Sequence, residues 1–92
     1  MINFELEINT KNKVSLVTIY KINNSKKEVV LTSILYKSTK NRFCILSFDT
    51  NKEMLDGLTK NGFIEEVTYS NEYTSLKPAI LPLTEKSLLQ ML

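Results

Sequence analysis

The side chains able to do chemistry in this chain are a single thiol, ten carboxylates and a scatter of hydroxyls, with no histidine among them. Cys44 sits inside the apolar run Phe43-Cys44-Ile45-Leu46, where a free cysteine behaves as a small buried hydrophobe. Without histidine the usual general base and metal ligand are missing, which excludes a Cys–His nucleophile and a zinc site. The serines lack a nucleophile-elbow setting, and Gly57 and Gly62 alone cannot build a phosphate-cradling loop. Asp49-x-Asn51-x-Glu53 looks like the opening of a calcium loop, but Met54 stands where such a loop needs glycine. Those residues read instead as a helix cap. Glu65 and Glu66 are neighbours on an extended run and point to opposite faces, so they cannot act as a pair. The residue types predict no enzyme, no cofactor and no metal.

Charge is the next signal. Residues 1–42 carry a net +5 and residues 43–92 a net −3. In a meander the first and third turns share one end of the sheet, so Lys11, Lys13, Lys37, Lys40 and Arg42 should gather there, with Lys26 and Lys27 at the other. Such a cluster can face phosphate or an acidic partner, or simply keep strand edges soluble. It holds one arginine and no aromatic residue within the turns, whereas nucleic-acid readers favour both. Tyr20, Tyr36, Tyr69 and Tyr73 are the aromatics suited to mix burial with contact.

The elements that must position these groups are mostly strands. Phe4-Glu5-Leu6-Glu7-Ile8 alternates strictly, predicting a strand with Phe4, Leu6 and Ile8 inward. The runs at about 13–22, 28–37 and 42–48 are rich in β-branched and aromatic residues and bounded by Asn/Ser/Lys turns. Short connections favour antiparallel neighbours, giving a four-strand meander. The second run is apolar on both faces, with Val14, Leu16, Tyr20 and Ile22 on one side and Val17 and Ile19 on the other. The third and fourth are two-sided as well, so something must cover the second face. Thr50 and Glu53 predict a capping box for a helix over about 51–60, with Met54, Leu55 and Leu58 as its apolar stripe. Gly62 follows as a left-handed cap with Phe63 as its apolar contact. Beyond lie a fifth strand at 63–69, a hairpin partner at 73–76 and an edge strand at 79–81. A short helix over 85–91 follows, capped by Thr84. The expected fold class is α+β, ββββ-α-β(β)-α.

Ninety-two residues make one domain, 1–92. A lone cysteine, no visible signal sequence and no membrane-length apolar run predict a cytoplasmic protein without membrane contact. Eleven lysines against one arginine, with nine asparagines, reflect A/T-rich codons and point to an AT-rich bacterium, its phage or a mobile element.

Met54 to Glu66 followed by Leu81-Pro82-Leu83-Thr84-Glu85-Lys86 resembles the closing part of a winged-helix regulator. There a recognition helix ends in glycine, an apolar pair opens the wing and Leu-Thr-Glu-Lys opens the last helix. The resemblance covers about 40 residues by low-specificity motifs and implies nucleic-acid binding. The chain departs from it in placing strands where the earlier helices should stand, and in an acidic helix carrying Glu53 and Asp56. Taken together, the residues predict a small non-enzymatic binding or regulatory protein. Its partner would be another protein or a second copy, and the alternative is a nucleic-acid binder using the basic turn end.

Overall fold

Two tight hairpins fix the first half of the molecule. In the computed structural model, which describes residues 2–48, 51–66 and 79–91, β1 (Ile2–Lys11) turns through Asn12-Lys13 into β2 (Val14–Asn23), and β2 turns through Asn24-Ser25 into β3 (Lys26–Ile34). All four turn residues have positive φ, between 49° and 73°. This is the two-residue turn whose twist matches that of the strands, and asparagine opens each because it tolerates the left-handed region. The strands pair antiparallel in the order β1-β2-β3, so the first three members of the meander stand as expected. Phe4, Leu6, Val17 and Ile19 form the buried face.

The third predicted strand is interrupted. The β2–β3 ladder ends at the Leu16–Ile34 pair, two residues short of the start of β2 at Val14. Leu35 still donates its N–H to the Ser15 carbonyl at 2.9 Å, and the chain then takes a new neighbour. β4 (Tyr36–Lys37) pairs with β5 (Phe43–Ser47), which pairs in turn with β6 (Ala79–Pro82). The fourth strand of the meander thus belongs to a second sheet, β4-β5-β6. Ser33 stitches the two together, its Oγ accepting the Leu46 N–H at 3.2 Å. β6 lies at the sheet edge, where Pro82 costs no ladder bond.

The helix α1 (Lys52–Lys60) buries Met54, Leu55 and Leu58. Its N-cap is Asn51, whose Oδ1 accepts the N–H of Glu53 at 2.8 Å and of Met54 at 3.4 Å. This corrects the expected Thr50–Glu53 box. With Asn51 capping, Glu53 falls at the second helical position, one short of the box, and asparagine is among the best caps available. At the other end Gly62 has φ +75°. Its N–H bonds to the Thr59 carbonyl at 3.0 Å, and that of Phe63 bonds to the Leu58 carbonyl at 2.9 Å, a complete Schellman motif. Gly62→Ala should cost about 1 kcal/mol, read as a lowered urea midpoint.

The expected fifth strand is, within the described residues, a single bridge between Ile64 and Leu83. Its continuation past Glu66 and the hairpin partner at 73–76 lie outside them. Thr84 caps the last element as predicted, α2 (Glu85–Leu88) followed by a 3₁₀ turn over Leu89–Met91. One cluster gathers the core from both sheets and α1: Phe4, Leu6, Val17, Ile19, Ile45, Met54, Leu55, Leu58, Ile64, Ala79, Leu81 and Leu83. The fold is α+β.

Candidate functional site

The two-sidedness of β2 has a structural outcome. Its Val17–Ile19 side is fully buried, while on the other side Val14 is 47 % and Leu16 42 % exposed. Register places that outer face in rows across the three strands. Asn3, Ile22 and Lys27 form one row; Glu5, Tyr20 and Val29 the next; then Glu7, Thr18 and Thr32; then Asn9, Leu16 and Ile34; and last Lys11 and Val14. The register shifts between Ile19 and Tyr20, leaving Val30 as the extra residue of a bulge. The bulge moves Val29 to the outer face while Leu31 stays on the inner one. Val29 and Ile34 are each 59 % exposed. No described element covers them.

This face divides into a bridged end and an open end. At one end Lys27 reaches across β2, pairing with Glu5 at 3.1 Å and lying 4.3 Å from the centre of the Tyr20 ring. The hydrogen bond to Glu5 raises the lysine pKa above its ordinary value, opposed by desolvation. The open end, around Val14, Leu16 and Ile34, runs into a groove of about 490 Å³ at the seam of the sheets. Its walls include Thr32, Ile34, Tyr36, Leu46 and Phe48. The groove exists because the ladder between β3 and β5 is replaced by the Ser33–Leu46 bond. Tyr36 is half-buried there, and burial pushes its pKa up, with a smaller contribution from Cys44.

Tyr20 therefore lies on the outer face of the first sheet, and Tyr36 lies in the groove at the seam. Tyr69 and Tyr73 lie outside the described residues. Lys11 ends β1 and Lys13 lies in the first turn, at the end of the sheet where Leu35 bonds to Ser15, and Lys37 follows two residues later in β4. The loop from Ser38 to Arg42 borders a second groove of about 390 Å³ floored by Cys44, Ile80 and Pro82. Several predicted cations are already engaged: Arg42 pairs with Glu65, and the Lys37 ammonium lies 5.6 Å from the Phe43 ring centre. Lys26 pairs with Glu28 at 3.2 Å. Lys11, Lys13 and Lys40 have no ion pair among the described residues. Cys44 is 2 % exposed, as expected of a packed thiol.

Sequence reasoning had Leu16 on the second face but missed Ile34 and Phe48 as parts of the surface. Their exposure depends on the bulge and on the strand break at Leu35, neither of which leaves a mark in hydrophobic periodicity. Among the described residues no helix is long and apolar enough to cross a membrane, and no cluster of His, Cys, Asp and Glu could hold a metal ion. Neither a protein-family model, a curated protein nor a solved structure matches the chain.

Proposed function

We propose that this chain is a small non-enzymatic binding protein that acts by docking another protein chain on the outer face of β1-β2-β3. One observation carries the reading. Val14, Leu16 and Ile34 are large apolar residues exposed in adjacent rows of one sheet face, and contiguous exposed apolar surface marks interaction sites. Tyr36 at the groove supplies an aromatic with a polar tip, the kind of side chain that anchors interfaces. The residue types offer no catalytic constellation to compete with this reading. The A/T-rich composition fits a cytoplasmic regulator or inhibitor from a bacterium, phage or mobile element.

The test is capture from the native host with wild type and with Leu16→Glu/Ile34→Glu. Both side chains are exposed, so the double variant should melt within a few degrees of wild type and lose at least tenfold of its captured partner. Equal capture by both proteins would overturn the reading. The second reading is nucleic-acid binding at the basic end, favoured by Lys11, Lys13 and Lys40, which have no ion pair among the described residues. It requires binding to random duplex DNA that falls steeply between low and physiological salt.

A further inference from the structure

We infer that the occupant of this face is a second copy of the chain, related by a two-fold axis running across the strands through the Asn9–Leu16–Ile34 row. The inference rests on the docking reading above and adds the partner's identity and orientation.

A two-fold interface must be self-complementary. An axis across the strands stacks each strand on its own counterpart, running antiparallel. Leu16 then meets Leu16, Ile34 meets Ile34, and the Asn9 amides meet where they can exchange hydrogen bonds. The neighbouring rows exchange places, laying Glu7 of each copy over Lys11 of the other and Thr18 over Val14. Glu7 and Lys11 have no ion pair among the described residues. They are four residues apart on one strand, roughly 13 Å, which is too far to pair within the chain. The two-fold pairs both at once, twice per dimer.

The competing two-fold, along the strands, fails on the same rows. It would set β1 over β3, seating Asn9 on Ile34 and Glu5 on Val29, and would crowd the two lysine-bearing turns together. Polar groups would be buried against aliphatic ones without partners, and like charges would meet. The crosswise axis brings no like charges together and, in the rows it overlaps, sets only Thr18 against an aliphatic residue, Val14.

Size sets the expected strength. With the axis on the Asn9–Leu16–Ile34 row, only the rows from Glu7 to Lys11 overlap. They cover about half of the roughly 450 Å² flat footprint of three ten-residue strands, far short of the about 800 Å² per partner of a standard interface. The dimer is therefore weak and concentration-dependent, with the seam groove adding contact at its border.

Sedimentation velocity over a dilution series, with thermal melts of every variant, tests the inference. Wild type should pass from monomer to dimer with rising concentration, and Leu16→Glu should remain monomeric. Lys11→Glu and Glu7→Lys should each weaken association roughly tenfold, since two exposed pairs are lost per dimer. The double variant Lys11→Glu/Glu7→Lys should regain wild-type association. Raising the salt should shrink the differences. A chain that stays monomeric at every concentration overturns the inference while leaving host-protein docking to be judged by capture. A dimer untouched by Leu16→Glu overturns it too, as does one whose charge swap brings no recovery.

Discussion

Phe4→Ala is expected to lower stability by about 3–5 kcal/mol, a large share of what a domain of this length possesses. Phe4 is 4 % exposed and its ring presses against the one place where α1 has no side chain. A Cβ at Gly57 would lie 2.6 Å from the Phe4 Cε2 atom, well inside contact distance. The helix can approach β1 only because position 57 is glycine. Gly57→Ala gains about 1 kcal/mol of helix propensity, but displacing a packed ring costs about 1–3 kcal/mol, so the net change should be destabilising. In the Phe4→Ala background the obstruction is gone and the same substitution should become neutral or stabilising. A double-mutant cycle by urea unfolding reads this change of sign directly. Equal cost in both backgrounds would mean the ring and the glycine do not interlock.

Thr84→Ala should cost about 2 kcal/mol, because one hydroxyl serves two helix ends. Thr84 Oγ1 donates to the Gly62 carbonyl, beside the α1 C-cap, and accepts the Ser87 N–H at 3.3 Å as the α2 N-cap. Losing a cap alone costs about 1 kcal/mol, and the orphaned Gly62 carbonyl adds a comparable penalty. Ser87, fully buried, donates its own hydroxyl to the Phe63 carbonyl at 2.7 Å and cannot replace the lost bond. Thr84→Ser keeps the hydroxyl and should recover most of the stability in a thermal melt. Failure of serine to recover it would place the cost in the lost methyl rather than in the hydrogen bonds.

Local chemistry made much of this fold legible. Strict alternation gave β1 its inward Phe4 and Leu6. Asparagine at the turns marked both hairpins, and Gly62 with Phe63 marked the end of α1. What periodicity could not reveal was set by partners distant in sequence. β3 stops because after Leu35 the chain leaves β2 and pairs with β5 through Tyr36 and Lys37, and β6 finds β5 across more than thirty residues. Gly57, unfavourable inside a helix, makes sense only once Phe4 is seen against it. Asn51 replaced Thr50 as the cap, a one-residue shift that neighbouring good caps make easy.

The candidate surface was legible in the same partial way. Apolar residues on both sides of β2 posed the question of what covers the second face, and Leu16 and Tyr20 were placed on it. The bulge at Val30 changes which residues of β3 face outward, so Val29 and Ile34 emerged only from the register. The basic end was visible as a charge excess, but the Arg42–Glu65 pair joins groups far apart in the chain and leaves fewer free cations than composition implied.

The central claim is that this protein meets its partner through the outer face of β1-β2-β3. Methyl-selective NMR of its valines, leucines and isoleucines tests this most directly, recorded from dilute to concentrated protein and again with any captured partner. The predicted result is movement of the Val14, Leu16 and Ile34 resonances on association, while Val17, Ile19 and Ile45 on the buried side stay still. Association that leaves Leu16 and Ile34 unmoved would contradict the account.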